Sequence, residues 1–426
     1  MPMSRKISRK LTRRGFIQTS VAAAAAAHTV LRVRAAPAAV PEGPPLKAGL
    51  VGCGGRGTGA AENILSSAPD IRITALADVF QDRLDNARKA LSERGQEIPD
   101  SRCFVGFDAY KKLIATDVDV VLLATPPHFR STHFAAAVEA KKHVFMEKPV
   151  AVDPAGVRSV LATGEKAKEL GLSVVAGTQR RHKRSYIETY KRIADGAIGE
   201  IVAARCYWNQ SQLWYKERDP KWSDMEWMIR DWVNWTWLSG DHIVEQHVHN
   251  IDVINWFTGK HPVKAVGMGA RMRRVTGDQY DFFAIDFEFD GGLHLQSMCR
   301  QINGCANNVS EFIVGTKGAT NCADKIFNPD GSVAWTYEGP KEQEYVEEHT
   351  DLVESIRTGK PINEARNVAE STMTAIMGRI SAYSGKEASW DELMGADLRL
   401  GPTEYAWGPV TMGKVSVPGI DARRTE

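Results

Sequence analysis

The feature that most constrains the fold is a glycine-rich turn between a predicted strand and a predicted helix. The apolar run 46–52 leads into Gly52-Cys53-Gly54-Gly55-Arg56-Gly57, and a helical pattern continues to about residue 65. At this position Gly52 permits a tight turn, Gly54 lets the backbone approach a pyrophosphate, and Gly57 allows close helix packing. The free N–H groups at the start of the helix attract the anion. The turn therefore predicts a doubly wound parallel α/β sheet of the Rossmann type that binds a dinucleotide.

An acidic residue follows the next predicted strand at the spacing that this fold uses. The strand 71–77 ends in Asp78, 21 residues after Gly57. A carboxylate here accepts hydrogen bonds from the adenosine ribose and repels a 2′-phosphate, so we expect NAD rather than NADP. Arg56 is assigned to the same cofactor site, and Arg56 with Arg83 leaves accommodation of a 2′-phosphate as the alternative.

Two further apolar strands end in motifs of small and charged residues. The run 118–124 leads into Thr125-Pro126-Pro127-His128, and the run 143–146 leads into Glu147-Lys148-Pro149. Ligands of doubly wound sheets bind at the carboxyl ends of the strands. The expected cofactor contacts are therefore Thr125, Pro126, His128, Glu147 and Lys148.

The first 36 residues have the composition of an export signal. The stretch 12–18 reads Thr-Arg-Arg-Gly-Phe-Ile-Gln, an apolar run covers 21–27, and small residues suited to cleavage occupy 35–39. The apolar run is too short to cross a bilayer, which predicts a removable twin-arginine signal (1–36) and a linker (37–45) with no stable membrane span. Such signals export folded proteins, so we expect a periplasmic or exported protein that carries its cofactor. An uncleaved N-terminal anchor is the alternative.

The charge of the remaining chain excludes one class of partner. Residues 1–36 hold eight Lys or Arg and no acid, so the 54 basic residues of the full chain fall to 46 against 52 acidic ones. A net charge near −6 gives no electrostatic reason to bind nucleic acid. About 390 residues exceed one ordinary core, and we expect a Rossmann domain at 46–178 and a second domain at 179–426.

The second domain carries strand patterns followed by helical ones. Alternating segments at 263–271, 282–289, 293–299 and 311–314 predict a sheet, with a hairpin at Gly291-Gly292, and helices are expected at 343–357 and 365–383. The six cysteines contain no CxxC pair. A Cys299–Cys305 disulfide is possible in an oxidising compartment, although folding before export argues against dependence on it.

Together these motifs resemble the Gfo/Idh/MocA oxidoreductase family. The matching residues are the glycine turn, Asp78, Thr125-Pro126, Glu147-Lys148-Pro149, the stretches 245–252 and 356–361, and Gly315-Thr316-Lys317-Gly318. The resemblance implies a nicotinamide-binding Rossmann domain followed by an α+β domain whose large, mainly antiparallel open sheet covers the active site. It also implies a homo-oligomer, either a dimer or a tetramer.

The resemblance further implies catalytic residues. The family lysine that contacts cofactor and substrate maps to Lys148. The family pattern Asp-x-Gly-x-His-x-x-Asp maps to 245–252, which makes His249 the acid/base residue. Here Glu245 replaces the Asp and His247 replaces the Gly, and the extra bulk of His247 is expected to reshape the substrate pocket.

The same stretch can be read as an amphipathic helix. At 100° per residue, Glu245, His249 and Asp252 share one face with His242. Glu245 is then placed to orient the His249 imidazole for proton exchange with an alcohol. A metal site on this face and a purely structural face are the alternatives, and no metal is assigned because the spacing matches no zinc motif.

Tryptophans cluster in one segment. Seven of the eleven lie between Trp208 and Trp237. Aromatic platforms beside polar groups suit sugar rings. Trp208, Trp214 and Tyr215, placed in a loop after a predicted strand at 201–207, are the substrate candidates, with Arg181 and His182 after the strand 172–176. The other tryptophans are expected to fill core or an interface.

These observations predict a periplasmic, NAD-dependent oxidoreductase that transfers a hydride at a secondary alcohol of a sugar or cyclic polyol, with retained cofactor. One alternative is a redox-neutral glycosidase that acts through a transient keto-sugar. A non-catalytic sugar-binding protein that retains the fold is the other.

Overall fold

A computed structural model describes residues 42–419. The predicted signal peptide and most of the predicted linker lie outside these residues. The first sheet is parallel throughout and has the strand order β3-β2-β1-β4-β5-β6. Its strands are β1 (Leu46–Val51), β2 (Ile71–Asp78), β3 (Cys103–Val105), β4 (Val120–Leu123), β5 (His143–Met146) and β6 (Val174–Ala176).

Helices alternate with these strands, as a parallel sheet requires. They are α1 (Gly55–Ser67), α2 (Gln81–Ser92), α3 (Ala109–Ile114), α4 (Pro127–Glu139) and α5 (Pro154–Glu169). All four residues of β4 are buried because the sheet is covered on both faces. The strand order reverses between β1 and β4, which opens a crevice at their carboxyl ends. The predicted doubly wound sheet is confirmed.

The second sheet has nine strands in the order β14-β13-β12-β11-β7-β10-β9-β8-β15. Among the strand pairs of this second sheet in the described residues, only β7–β10 is parallel, and the others are antiparallel. The strands are β7 (Ile201–Gln210), β8 (Pro262–Ala270), β9 (Phe282–Phe289), β10 (His294–Gln301), β11 (Asn308–Gly315), β12 (Gly318–Thr320), β13 (Lys325–Phe327), β14 (Val333–Thr336) and β15 (Ala388–Ser389). The predicted mainly antiparallel sheet is confirmed, and the glycine hairpin joins β9 to β10.

The helices of the second half are α6 (Arg184–Ala194), α7 (Asp224–Arg230), α8 (Thr236–Ser239), α9 (His242–Glu245), α10 (Val248–Thr258), α11 (Glu344–Thr358), α12 (Ala365–Ser384) and α13 (Trp390–Gly395). Of these helices, α10 and α12 pack against this sheet. Helix α12 lies close against β8 and β9 because Gly378 faces Phe287 and Gly267 faces Ile285 and the α12 backbone. A Cβ at either glycine would approach these phenylalanine and isoleucine side chains within 2.8 Å.

Helix α11 returns to the first sheet. Its Leu352 and Val353 join a buried cluster with Leu50 of β1 and Ile64 of α1. The chain after α11 then runs beside β6, where the Val174 N–H donates to the carbonyl of Ile362 at 2.7 Å. The predicted boundary at residue 179 falls between β6 and β7, and helices α11 and α12 pack back against the first domain.

Two other expectations concern the chain as a whole. Within residues 42–419 no helix combines the length and apolar character needed to cross a bilayer. All six cysteines are free thiols, so the possible Cys299–Cys305 disulfide is absent. Cys299 is buried under the sheet, whereas Cys305 is exposed in the turn that follows β10.

Candidate active site

The glycine turn has the geometry that its sequence predicts. Gly52 has φ = 97°, and a Cβ there would lie 2.7 Å from the backbone of Ala124 and Thr125. A Cβ on Gly57 would lie 1.8 Å from the Gly52 carbonyl oxygen. Gly54 is different, because its Cβ would meet only an Arg83 nitrogen at 3.4 Å. Protein packing thus explains the first two glycines, and an approaching ligand explains the third.

Asp78 closes the other side of this turn. Its two carboxylate oxygens accept hydrogen bonds from the N–H of Cys53 (2.6 Å) and of Phe80 (2.9 Å). Burial raises the pKa of Asp78, and the two N–H donors oppose that rise. The carboxylate is therefore held rigidly at the end of β2, with oxygen lone pairs left for ribose hydroxyls.

A cavity of about 1050 Å³ joins these elements. It is lined by Gly52, Gly54, Arg56, Gly57, Asp78, Thr125 and Pro126, all assigned to the cofactor from the sequence. The N-terminus of α1, with no side-chain cap, opens into it. Free N–H groups, a glycine without a packing role and a fixed carboxylate fit the pyrophosphate and adenosine ribose of a dinucleotide.

Arg56 also contacts the end of β5. Its Nε lies 2.8 Å from Oε1 of Glu147, and its guanidinium lies 5.1 Å from the centre of the Tyr345 ring. Below this pair, the carboxylate of Glu348 is fully buried and has no hydrogen-bond partner among the described residues. Burial, followed by the charge of Glu147, raises the pKa of Glu348 well above its ordinary value. Glu348 therefore keeps its proton to a higher pH than an exposed glutamate does.

A buried arginine holds the two strand ends together. Arg130 on α4 donates to the carbonyl oxygens of Thr125, after β4, and of Pro149, after β5. This contact fixes the position of Lys148 relative to the cavity. His128 on the same helix shares a hydrogen bond of 2.7 Å between its Nε2 and the Tyr405 hydroxyl. Burial lowers the pKa of His128 to about 4.

Lys148 is held by a single acidic residue. Its Nζ donates to Oε1 of Glu245 at 3.0 Å and also to the Glu245 backbone carbonyl. The other carboxylate oxygen of Glu245 accepts a hydrogen bond from the Gln246 amide at 2.6 Å. Both side chains of the ion pair are about nine-tenths buried, so the ammonium group has a fixed direction.

The predicted continuous helix over the family motif is wrong. Helix α9 ends at Glu245 and α10 begins at Val248, because the chain turns at Gln246 and His247. This break separates the faces that a single helix would align. The carboxylate of Glu245 consequently bonds Lys148, and no hydrogen bond joins it to His249 in the described chain. Glu245 orients the lysine, not the imidazole.

His249 is positioned by stacking. Its ring lies 5.6 Å from the ring of Trp208 at an interplanar angle of 22°, and the guanidinium of Arg180 lies 5.6 Å from the centre of the Trp208 ring. Burial, then the charges of Lys148 and Arg180, hold the pKa of His249 well below its usual range. The imidazole is neutral at physiological pH and can accept a proton. Trp208 lies inside β7, not in the predicted loop.

Three other predicted residues face away from the cavity. Arg181 makes a bidentate ion pair with Asp252 at 2.8 and 2.9 Å. His182 is buried between Asp351 and Glu364; burial lowers its pKa, but these carboxylates outweigh burial and raise the value to about 10.

His247 likewise has no exposed surface. Its Nε2 bonds Ser297 Oγ at 2.7 Å, and burial lowers its pKa to about 3. The substrate contacts predicted for Arg181, His182 and His247 do not fit these positions. Local patterns could not predict the acidic partners of Arg181 and His182, because Asp252 lies 71 residues and Asp351 169 residues further along the chain.

The aromatic candidates occupy the rim. Trp214 lines the cavity, and Trp214 and Tyr215 are each 44% exposed. Several lining residues were missed from the sequence, among them Phe80, Phe107, Phe129, Arg230 and Tyr405. Phe80 and Phe107 each come two residues after the end of a strand of the parallel sheet, β2 and β3, which is the position where ligands of such sheets bind. No group of three or more His, Cys, Asp or Glu side chains in residues 42–419 is arranged to bind a metal.

Comparison with known families supports this geometry. Residues 46–175 match the oxidoreductase family with an NAD-binding Rossmann fold, and residues 186–321 match the Gfo/Idh/MocA C-terminal domain. The chain belongs to the Gfo/Idh/MocA family. As a member of this family it is an NAD-dependent oxidoreductase, and the cavity at the glycine turn lies in the matched NAD-binding Rossmann domain.

Several Gfo/Idh/MocA relatives act on polyols or sugars. The chain is 22% identical over 278 residues to the scyllo-inositol 2-dehydrogenase (NAD(+)) of Bacillus subtilis, covering 64% of this chain and 72% of the relative. It is 25% identical over 250 residues to the 2,7-anhydro-N-acetylneuraminate hydratase of Escherichia coli, covering 56% and 62%. The structure of Lactobacillus casei scyllo-inositol dehydrogenase with bound NAD(H) and scyllo-inositol has the same fold, with a TM-score of 0.62, 22% identity, and coverage of 81% and 99%.

Proposed function

We propose that this protein oxidises a secondary alcohol of a sugar or cyclic polyol, with Lys148 and His249 handling the hydroxyl group. The observation that carries the proposal is that burial and the Lys148 ammonium, which Glu245 fixes, together lower the pKa of the neutral His249 imidazole. Lys148 follows β5, which pairs with β4, and the residues after β4, Thr125 and Pro126, line the cavity, although Lys148 and His249 themselves do not. NAD, when bound, supplies the hydride acceptor. The inositol dehydrogenases among the relatives support the substrate class.

Each residue has a separate task. Lys148, aimed by Glu245, donates a hydrogen bond to the substrate oxygen and stabilises negative charge as it develops. His249 accepts the hydroxyl proton, since its low pKa keeps the ring unprotonated beforehand. Arg130 fixes the loop that carries Lys148, which keeps the two groups in register. Trp214 and Tyr215 offer exposed aromatic faces at the rim for the apolar side of a sugar ring.

The test is turnover of a panel of inositols and free sugars with NAD. Replacement of Lys148 or His249 by Ala lowers kcat by about 10²-fold or more, because proton transfer contributes 10²–10⁴. The matched control is His294→Ala, since this histidine is half-exposed on β10 and pairs with Asp286 far from the glycine turn. Wild-type turnover in His249→Ala would move the acid/base role to another residue.

A redox-neutral reaction is the second candidate. The hydratase among the relatives favours it, because hydration changes no net oxidation state. In this version the same Lys148 and His249 act on a transiently oxidised sugar, and the cofactor returns to its starting state. Multiple turnovers of a glycoside by extensively dialysed protein without added nucleotide support this candidate. Stoichiometric free NADH from a sugar supports simple dehydrogenation.

We also propose that the protein is exported by the twin-arginine route, retains its cofactor and forms a homo-oligomer. The sequence of residues 12–39 supports export. The nine-stranded sheet supports an oligomer, because Val266 and Met268 of β8 lie exposed on the same face. Cell fractionation of the full chain, absorbance of the dialysed protein and light scattering test these three points. A cytoplasmic, nucleotide-free monomer would overturn all three.

A further inference from the structure

The chain after α13 forms an extended segment that crosses from one domain to the other. Residues 396–419, termed here the C-terminal strap, contain no helix or strand and follow both family-matched regions. The strap is tied to the first domain by the Leu400 N–H, which donates to Asp153 Oδ2 at 2.8 Å. Arg158 donates to the carbonyl of Ala396 at 2.6 Å.

The second half of the strap is tied to the other domain. The Met225 N–H donates to the carbonyl of Gly408 at 3.1 Å, and Asp224 accepts from the Val410 N–H at 3.2 Å. Further on, the Tyr280 hydroxyl donates to the carbonyl of Ser416 at 2.9 Å. The residues between Leu400 and Gly408 therefore bridge the two domains across the cofactor cavity.

Two aromatic residues of this bridge pack on the adenosine end of the cavity. The Trp407 ring stacks on Phe80 at 5.5 Å and contacts Phe107 at 4.9 Å. Tyr405 lies 6.1 Å from Phe107 and bonds His128 through its hydroxyl. Phe80 comes two residues after Asp78, and the Gly106 N–H donates to the Asp78 carbonyl, so these rings surround the position of the ribose.

The strap aromatics are incompletely covered. Tyr405 remains 40% exposed and Trp407 49% exposed, although both contact other rings. Tyr405, Phe80 and Phe107 all line the cavity. Half-covered aromatic faces around one cavity suit a flat heteroaromatic ligand such as a nucleotide base, because any base can stack on an aromatic ring through its flat face.

We propose that the C-terminal strap closes over the adenosine half of NAD and sets the rate at which the cofactor leaves. Tyr405 lines the cavity and faces the adenine, whereas Trp407 packs against Phe80 and Phe107 and holds these two lining rings in place. The ties to both domains keep the strap closed between turnovers. This inference rests on the NAD site and gives the proposed cofactor retention a structural cause. Release of NAD then requires the ties at Asp153 and Asp224 to open.

The test measures dissociation of NAD carrying a radiolabelled adenine, chased with excess unlabelled NAD from the purified full-length protein. Trp407→Ala is expected to raise the dissociation rate by about tenfold, because Phe80 and Phe107 lose the ring that holds them against the adenine, and this change is within the range that one base–aromatic stack contributes. Tyr405→Phe, which removes only the hydroxyl bonded to His128, is expected to raise it about threefold, on the scale of one net hydrogen bond. Met412→Ala is the matched control, because Met412 lies in the strap and is 40% exposed, whereas Trp407 packs on the cavity-lining Phe80 and Phe107.

A second measurement avoids substitution altogether. Amide hydrogen exchange of wild-type residues 400–410 should slow when NAD is added, whereas residues 411–419 should change less. An unchanged NAD dissociation rate in Trp407→Ala would overturn the proposal that the strap closes over the cofactor. Amide exchange in residues 400–410 that does not change when NAD is added would also overturn it. Tight NAD retention that persists in Trp407→Ala leaves the proposed function intact and refutes only this inference, while failure to bind NAD in the wild type refutes the cofactor site itself.

Discussion

The glycine turn offers a direct test because two glycines of α1 differ only in what a side chain would meet. A Cβ on Gly57 would lie 1.8 Å from the Gly52 carbonyl oxygen. A Cβ on Gly59 would have nothing closer than the Arg56 guanidinium at 3.8 Å. Gly57→Ala is therefore expected to displace the turn, and Gly59→Ala is its matched control on the same helix.

The size of the effect follows from the terms that the two variants share. Each replacement gains up to about 1 kcal/mol of helix propensity, so this term cancels in the comparison. Only Gly57→Ala must open a backbone contact that falls about 1.6 Å short of the 3.4 Å at which ordinary contacts begin. Overpacking of this kind costs about 1–3 kcal/mol, which is the expected difference in unfolding free energy.

The cofactor site should respond more strongly than the fold. A displaced turn moves the N–H groups of α1 away from the pyrophosphate, and loss of one hydrogen bond to a charged group is worth about 1.5–3 kcal/mol. The NAD dissociation constant of Gly57→Ala should rise at least about tenfold. Urea unfolding of charcoal-treated protein and calorimetric titration with NAD measure the two effects. Equal stability and equal NAD affinity in the two variants would refute the assigned role of Gly57.

Three further predictions concern buried charge. Asp78→Ala should weaken NAD binding by about tenfold and reduce the preference for NAD over NADP, measured as two dissociation constants. Glu348→Gln should gain free energy of unfolding relative to wild type as pH rises from about 4 to about 8, because the raised pKa of Glu348 means that the unfolded chain loses this proton at lower pH than the folded chain. Urea unfolding at each pH measures the gain, and a constant difference would contradict the raised pKa. His182, charged between Asp351 and Glu364, should contribute stability that is complete below pH 6.5 and is lost as pH rises towards 10, and His182→Gln should flatten this slope.

Local patterns were enough to predict the first sheet and its ligand site. Gly52, Gly57 and Asp78 could be predicted from local sequence, because the strand, turn and helix that they depend on are adjacent in the chain. The second sheet was predicted in outline because its strands alternate. The end of β7 was placed three residues early, because Trp208 was assigned to a loop when its pairing with Cys299 and Val309 keeps it in the sheet.

The site residues that failed depend on distant partners. Helical periodicity placed Glu245 and His249 on one face, but the helix is interrupted at Gln246 and His247. At this break His247 is buried and bonds Ser297 of β10, which is 50 residues away in the sequence. The strap was invisible because Tyr405 and Trp407 lie in a stretch with no periodicity. Their place beside the cavity depends on contacts with Phe80 and Phe107, which lie about 300 residues earlier in the sequence.

The return of α11 to the first sheet has a consequence for synthesis. Leu352 and Val353 cover the apolar surface around Leu50 and Ile64, yet they leave the ribosome roughly 300 residues after β1. At about 5–20 residues per second, that surface waits roughly 15–60 s for its cover. A nascent chain that has emerged only through β6 thus holds an open core, whatever the state of its glycine turn. We therefore expect NAD to bind only at the final stage of translation, when α11 has covered this surface. A fragment that ends before α11 should bind chaperones through the exposed apolar surface and should not bind NAD.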